Sequence, residues 1–315
     1  VSVLYDATTK KATLTTSSAL LAGTSYTAII TTAVTSATGV PLSCSYSWTF
    51  KTVSPAAAGP AAVSLGLLAP YAIASAGGIT NGGLTKINGN VVLDPNQNCN
   101  ASPVGSGNDF GTICNTGVNK VSNNAGDTVI TQIFPDTTSA DAVMAELLVK
   151  WNSISPAGRP GATVLGCGTI GTAGGGGVGI GCALNATLAP GVYISATSST
   201  IDVSGDLTLD AGGNADAVWI FQAPSSTVIT AVNSRILLTG GAKASNVWWY
   251  VGSSATLNGG TTFQGNILSS ASISMGTSAT SCGRLFSGAS GAGAFTFLAN
   301  TVSVPGHTNA PVGCL

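Results

Sequence analysis

The sequence predicts a mostly β chain, in which a short β module precedes a triangular β-solenoid with one long α-helix packed along one face. Two observations carry this prediction. Short strand-like segments recur at a regular spacing in the C-terminal half with no helical segment between them, and only one segment of the chain has helical periodicity. Charged residues make up 7% of the chain, against about 25% in a typical domain. Small uncharged residues take their place.

The N-terminal module is predicted over residues 1–53. Its short alternating runs are separated by Gly23, Gly39 and Pro41, a pattern typical of sandwich-like β structure. The stretch "LLAGTSYTAIITTAVTSATGVPL", with "YSWTFKT" after it, resembles the second half of a bacterial Ig-like domain. We therefore expect a partial Ig-like β module, followed by a Pro/Ala-rich linker over residues 54–62.

The helix is predicted over residues 138–153. Thr138 and Asp141 form a typical helix start, and Pro156 and Gly158 end the segment. Its apolar stripe consists of Val143, Met144, Leu147, Leu148 and Trp151. We expect this stripe to pack on a solenoid face that carries Trp219, Trp248 and Trp249, with Leu148 buried, because the segments around these tryptophans are apolar on both sides of the strand.

The solenoid is predicted over residues 63–315. Four segments align with one another: "ADAVWIFQA", "ASNVWWYVG", "FQGNILSSA" and "SCGRLFSGA". Their equivalent residues Ala217, Asn246, Gly265 and Gly283 are 29, 19 and 18 residues apart. Each segment is followed by a second strand and a third short one, which predicts one three-strand coil per repeat. We assign "SRILLTG", "SATLNGG", "SISMGT" and "AFTFLAN" to the second face, together with Thr208.

The third face is predicted to display two ladders of mostly small polar side chains. The first ladder is Asn214, Lys243, Thr262, Thr280 and Thr301, and the second is Asp216, Ser245, Gln264, Cys282 and Ser303. Neighbouring coils lie about 4.8 Å apart, and the β-branched Thr side chain has few rotamers. These ladders therefore predict a flat, stiff and nearly uncharged surface.

Several longer segments resemble the microbial β-solenoid ice-binding proteins. The segments that carry the resemblance include "DLTLDAGGNADAVWIFQ", "SRILLTGGAKASNVWWYVGSSATLNGGTTFQGNILSSASISM" and "LANTVSVP", and the match covers about residues 63–315. The resemblance implies an irregular right-handed solenoid with a flanking helix, a capping insertion that would be residues 95–127 here, and ice as the binding partner. It also implies a T-A/G-x-T/N pattern on a flat ice-binding face.

This pattern is partly kept in the chain. Residues 277–280 fit it apart from Ser278, residues 259–262 and 298–301 keep the last Thr, residues 211–214 end on Asn, and Lys243 departs from it. Together with the ladders, the resemblance implies these ice-binding residues: Asn214, Ser245, Thr261, Thr262, Gln264, Thr277, Thr280, Thr301 and Ser303. On this prediction, ice growth and recrystallisation are inhibited.

The composition argues against other functions. The chain has one His, His307, and one Glu, Glu146, and neither has the neighbours of a catalytic triad or a metal site, so we expect no catalytic residue, metal or cofactor. A net charge of −1 does not favour nucleic-acid binding, and no apolar run is long enough to span a membrane. We expect a monomer. The alternative functions are a cell-surface adhesin or polysaccharide-binding solenoid, and a solenoid hydrolase or lyase, which the missing acid–base pairs oppose.

The seven cysteines predict disulfides and an extracellular location, secreted or on the cell surface. Cys99 and Cys114 bracket a polar insertion, and Cys167 and Cys182 bracket a Gly-rich loop, so each pair is a candidate disulfide. Cys282 and Cys314 are a third candidate pair, which leaves Cys44 without a partner. The alternative is that the thiols are buried and reduced.

Overall fold

The computed structural model describes residues 2–18, 20, 24–51, 59–96, 98–100, 102–103, 121–122, 127, 129–131, 137–166, 168–172, 187–196 and 200–315. The chain divides into two compact units, residues 1–56 and residues 57–315. Each unit has its own set of paired strands.

The N-terminal unit contains two antiparallel strand pairs among its described residues. Ser2–Asp6 pairs with Lys11–Thr15, and Ser25–Ile30 pairs with Tyr46–Lys51. The free thiol of Cys44 is exposed in this unit.

The C-terminal unit is a solenoid in which three stacks of mainly parallel strands surround one core. The helix sheet has, in spatial order, the strands Val129–Thr131, Asn90–Leu93, Tyr71–Ser75, Leu285–Ser287, Asn266–Ser269, Val247–Val251, Trp219–Ala223, Gly191–Ser195 and Thr163–Leu165. The threonine sheet has Ser102–Pro103, Asn98–Cys99, Ile79–Asn81, Phe295–Phe297, Ile273–Met275, Ala255–Leu257, Val228–Thr230, Ile201–Val203 and Thr169–Ile170. The tail sheet has Val121–Ser122, Thr85–Asn88, Thr301–Ser303, Thr280–Cys282, Thr262–Gln264, Arg235–Thr239, Asp206–Asp210 and Thr187–Leu188.

This arrangement confirms the predicted mostly β solenoid with one helix, while its handedness and triangular section stay predictions. The assignment of "SRILLTG" and Thr208 to the second face is wrong. Arg235–Thr239 and Thr208 belong to the tail sheet, and Val228–Thr230 is the second-face strand of that coil. The error arose in the 29-residue repeat, because its extra residues displace the third strand.

The chain does not run through the solenoid from one end to the other. Tyr71–Ser75 pairs with Leu285–Ser287, and Thr85–Asn88 pairs with Thr301–Ser303, so the first coil closes on the last one. The helix then carries the chain to the opposite end, where Thr163–Leu165 is the outermost described strand of its sheet. At 1.5 Å per residue, a 17-residue helix is about 25 Å long, which is roughly five strand spacings.

The helix extends over Thr137–Ser153 and packs on the helix sheet as predicted. The ring of Trp151 stacks on Tyr250 with centroids 4.6 Å apart, and its Nε1 donates a hydrogen bond to the carbonyl oxygen of Val251. Leu147 is fully buried, but Leu148 is 42% exposed, so the predicted burial of Leu148 is wrong. Residues 140, 143, 147 and 151 lie on one side of the helix, and 148 is turned away from it.

The three predicted tryptophans are all buried, but they belong to two different cores. Trp219 and Trp249 point into the solenoid, where the rings of Phe221 and Trp249 stack 4.1 Å apart. Trp248 points outward and lies under the helix. This alternation explains why these strands are apolar on both sides.

The cysteines agree in part with the predictions. Cys282 and Cys314 form a disulfide, with Cα atoms 5.5 Å apart. Cys99 is disulfide-bonded, but Cys114 lies outside the described residues, as do Cys167 and Cys182. The pairings Cys99–Cys114 and Cys167–Cys182 therefore stay predictions.

Candidate functional site

The tail sheet brings three of the predicted threonines together. Thr262 pairs with Thr280, and Thr280 pairs with Thr301, in consecutive parallel strands. Their buried neighbours Phe263 and Val302 point into the core, so the three threonines point outward. The predicted ladder is therefore confirmed as geometry over these three strands, with a spacing of about 4.8 Å.

Charged side chains lie at both ends of this ladder. Thr301 pairs with the exposed Lys86, and Thr262 pairs with Arg235, which is followed by Asp206. The guanidinium of Arg235 binds the carboxylate of Asp206 through Nε at 2.8 Å and Nη2 at 2.5 Å, and this contact lowers the pKa of Asp206. The uncharged part of the tail sheet is thus three strands wide.

The C-terminal strap, residues 304–315, covers one side of the tail sheet. Cys314 is bonded to Cys282, and the carbonyl oxygen of Leu315 accepts a hydrogen bond from the amide of Ser245 at 3.2 Å. The side chain of Asn88 donates to the carbonyl oxygen of Asn309 at 3.2 Å. Val312 is fully exposed on the strap, so its side chain projects into solvent above this face.

His307 anchors the beginning of the strap. Its Nδ1 accepts a hydrogen bond from the amide of Asn309, so in the neutral ring Nε2 carries the proton. Nε2 lies 3.0 Å from Oδ1 of Asp127, whose Oδ2 accepts from the amide of Gly89. The only His of the chain therefore holds the strap against the first coil.

A cavity of about 320 Å³ lies between the strap and the threonine ladder. Its lining includes Thr262, Thr280 and Thr301 on one side and Pro311 and Val312 on the other. Among the described residues, no hydrogen bond joins a hydroxyl of these three threonines to the strap. The strap therefore overhangs the half-buried Thr280 and Thr301 without using the threonine hydroxyls, and Thr262 stays exposed at the edge.

Several other predicted ice-binding residues occupy different places from those expected. Thr261 is 1% exposed, and its hydroxyl lies 2.7 Å from that of Thr230 at the corner between two sheets. Ser303 is fully buried and accepts a hydrogen bond from Asn88. Both were expected on the surface. Thr261 turns inward because Gly260 before it adopts a left-handed conformation, with φ of +69°, that reorients the chain at the corner.

Asn214 and Ser245 do not belong to the ladder, because each lies between a tail-sheet strand and a helix-sheet strand. Lys243, expected in the same ladder, lies just before Ser245 outside any strand. The residue beside Thr262 is Arg235. Thr277 is exposed at the corner, and Gln264 is half-buried beside the cavity.

The threonine sheet carries a longer uncharged ladder, which sequence reasoning missed. Thr80, Thr296, Ser274 and Thr256 are paired in four consecutive strands. The residues before and after each of them are buried and point into the core, whereas these four point outward. The ladder continues through Ile229, Asp202 and Thr169. The signal was present in the segments "ATL", "ISM" and "FTF", whose middle residue is polar.

A second outward ladder runs beside the first. It consists of the residues two positions earlier, Ala294, Ser272, Ser254, Thr227 and Thr200, whereas the equivalent Gly78 is buried. Backbone hydrogen bonds keep these residues in register, for example from Ala255 to Ser272 and from Ile273 to Ala294. The hydroxyls of Thr200 and Thr227 lie 3.1 Å apart. Outward neighbours on one strand are about 7 Å apart, so the two ladders form a lattice of small side chains.

Asp202 is the one charged residue of these two ladders, and burial raises its pKa. It lies two strands beyond Thr256, towards the end of the sheet where Thr169–Ile170 lies. The four-strand run from Thr80 to Thr256 therefore has neither a charge nor a large side chain.

The described residues contain no cluster of three or more His, Cys, Asp or Glu side chains that could hold a metal ion. One carboxyl pair is present. Burial, the hydrogen bond that protonated Asp94 donates to the Asp141 carboxylate, and the negative charge of Asp141 raise the pKa of Asp94 to about 6. Asp94 is 4% exposed and Asp141 is exposed, and the pair joins the first helix turns to the first coil. No described helix is long and apolar enough to cross a membrane.

Two family models and several known proteins match this chain. The model of a family described as ice-binding-like matches residues 73–303, and that of the bacterial Ig-like domain matches residues 1–52. The chain is 32% identical over 255 residues to an ice-binding protein from a Colwellia species, covering 79% of this chain and 86% of that protein. It is 48% identical over 99 residues to an ice-binding protein from a Nostoc strain, spanning 31% of this chain and 35% of that protein.

A solved structure has the same architecture. The crystal structure of an ice-binding protein from an Antarctic biological consortium is 27% identical and has a TM-score of 0.59, covering 78% of this chain and 93% of that one. These matches confirm the resemblance drawn from the sequence and the prediction of a binding protein rather than an enzyme. The chain belongs to the ice-binding-like family, with a segment of the bacterial Ig-like family at its N-terminal side.

Proposed function

We propose that this protein binds ice through the threonine sheet and so inhibits ice growth and recrystallisation. The observation that carries this proposal is the uncharged ladder Thr80–Thr296–Ser274–Thr256, with its parallel ladder of small residues. Ice offers a regular array of water molecules and no pocket or charge. A regular array of hydroxyl and methyl groups can hold water in a matching arrangement.

The physical advantage of such a surface is rigidity combined with number. Each hydroxyl or methyl contact with ordered water is weak, but the sheet engages many at once and loses little conformational freedom on binding. β-Branched threonines have their rotamers largely fixed beforehand. Adsorbed molecules make the ice front curve between them, which opposes further growth and lowers the freezing point below the melting point.

The tail sheet is the second candidate, because Thr262, Thr280 and Thr301 form the ladder predicted from the sequence. Two observations favour the threonine sheet. The strap raises residues such as Val312 above the tail sheet, and Lys86, Arg235 and Asp206 lie in the same ladder. Charged groups bind water strongly in their own geometry, which does not extend an ice-like layer.

We also propose that the protein is extracellular and monomeric. The Cys282–Cys314 disulfide supports an extracellular protein, because such bonds persist in oxidising compartments. A flat solid as partner requires a single free face, so we propose a monomer. A glycan-binding function is not favoured, since the exposed large apolar side chains of the described solenoid residues include no aromatic ring.

The test compares one large substitution on each face. Ser274→Tyr should hold the threonine sheet off the crystal and remove most of the gap between freezing and melting points, measured on a single ice crystal. Thr280→Tyr should leave most of that gap. Ser274 points away from the core, so the free energy of unfolding of Ser274→Tyr should match the parent within the roughly 0.5 kcal/mol typical of surface changes. Thr280→Tyr extends into the cavity beside the strap, and its melting curve checks that the variant is folded. The reverse pattern would move the site to the tail sheet.

A further inference from the structure

The strap covers a ladder of the same design as the proposed ice-binding face. Thr262, Thr280 and Thr301 repeat the small β-branched side chains and the strand spacing of the threonine sheet. Two positions further along the same strands are Gln264, Cys282 and Ser303. Gln264 lines the cavity beside the threonines, whereas Cys282 is bonded to the strap and Ser303 is buried, so the surface next to the strap is one threonine ladder with Gln264 beside it.

The contacts of the strap avoid the threonines. It is fastened by the disulfide to Cys282, by Ser245 at its end and by Asn88 and Asp127 near its start. Between these points it spans the cavity of about 320 Å³. Liquid water occupies about 30 Å³ per molecule, so this space could hold roughly ten waters against the threonine hydroxyls.

Gln264 supports a hydrated interior of this cavity. Its Oε1 is buried and has no hydrogen-bond partner in the described protein, and the residue belongs to the cavity lining. A buried amide oxygen without a partner is costly, and a water bridging it to a threonine hydroxyl would satisfy it. The strap therefore overhangs a surface suited to ordered water and stands between much of it and a flat crystal.

We propose that the tail sheet is a second, covered ice-binding face, and that the strap, residues 304–315, restricts the protein to adsorption through the threonine sheet. This inference rests on the proposed function. Its chemistry is that of the first face: an uncharged threonine ladder presented to ordered water. The difference is that the strap keeps ice at a distance.

The experiment releases the strap in a protein whose first face is blocked. In the Ser274→Tyr background, Cys282→Ser with Cys314→Ser removes the disulfide while keeping every other residue. We expect the freezing–melting gap to rise roughly twofold or more over Ser274→Tyr alone, because a second lattice becomes available. Adding Thr280→Tyr should cancel the gain. No gain from this release, together with no gain when the strap is removed, would overturn the proposal in folded variants.

A second variant keeps the test decisive if the released strap stays in place. Ending the chain after Pro305, with Cys282→Ser and Ser274→Tyr, removes the strap itself. Circular dichroism and melting curves confirm that each variant is folded at the near-zero temperature of the ice measurement. A folded, strapless variant without ice activity overturns the covered face. It leaves the proposed function intact, because that function is tested by Ser274→Tyr alone.

One further outcome separates the two claims. If Thr280→Tyr alone, with the strap in place, removes the activity and Ser274→Tyr does not, the tail sheet binds ice uncovered. That result would overturn both the threonine-sheet assignment and the shielding role of the strap.

Discussion

The threonine sheet and the tail sheet are built from the same repeats but present different surfaces. Both expose one or two small polar side chains per strand at the same spacing. The run on the threonine sheet continues over four strands without a charge, whereas the run on the tail sheet ends after three, at Lys86 and Arg235. Only the tail sheet has the strap across it. Composition alone therefore does not make a flat binding face, because flatness depends on what lies at its ends and over it.

The uncharged ladder Thr80–Thr296–Ser274–Thr256 is called the clean ladder below. A charge placed on it should make the threonine sheet resemble the tail sheet, and this change should have the largest effect on ice activity. Thr256→Arg inserts a long cation between Ser274 and Ile229. We expect most of the freezing–melting gap to be lost, because the side chain both raises the surface and binds water in a different geometry. Thr208→Arg on the tail sheet is the matched control and should have little effect; equal losses in both variants would remove the distinction between the faces.

Two substitutions in the helix test whether ice activity depends on the solenoid surface alone. Leu147→Ala removes a fully buried side chain and should lower the free energy of unfolding by about 2–5 kcal/mol. Leu148→Ala, next to it but 42% exposed, should change it by under about 0.5 kcal/mol. Denaturant titration measures both. Near 0 °C both variants should keep the activity of the parent, and an activity loss in folded Leu147→Ala would show that the faces depend on the helix.

Asp202 allows the clean ladder to be extended. Asp202→Thr should widen the uncharged lattice towards Thr169 and raise the freezing–melting gap modestly. In the parent, burial raises the pKa of Asp202, so it is protonated at a higher pH than an exposed aspartate. Lowering the pH through that raised pKa should neutralise the ladder and give part of the same gain.

The pH dependence is the internal control of this prediction. Asp202→Thr should remove the acid-side rise of activity while leaving its value at low pH near that of the parent. The same protonation should also favour the folded state. Because the pKa of Asp202 is raised in the folded protein, the free energy of unfolding should fall as the pH rises through that pKa. An unchanged pH profile in the variant would mean that Asp202 lies outside the ice contact.

The smallest expected effect comes from removing a charge of the tail sheet while the strap is in place. Arg235→Thr with Asp206→Thr removes the exposed ion pair, which contributes little to stability because solvent screens it. If the strap is what shields this face, the double variant should gain no ice activity. A clear gain would mean that the charges, and not the strap, separate the two sheets.

Much of the fold followed from local patterns that do not need long-range information. The 18- and 19-residue repeats predicted the coils, since each three-strand unit has to bury its apolar side against its neighbours. The stripe containing Leu147 and Trp151 predicted the helix and the face it covers. The register of Thr262 with Thr280 followed from their equal distance to Gly265 and Gly283.

The sequence alone also determined the material of the surface: few charges, many Thr, Ser and Gly residues, and no catalytic set. It did not determine which ladder is free. The strap reaches the tail sheet through Cys314, 32 residues after its partner Cys282, and Lys86 joins the ladder through pairing of the first coil with the last, more than 200 residues away. Contacts at such separations depend on how the whole chain closes, so only the tertiary structure decided that the strap and Lys86 lie on the tail sheet.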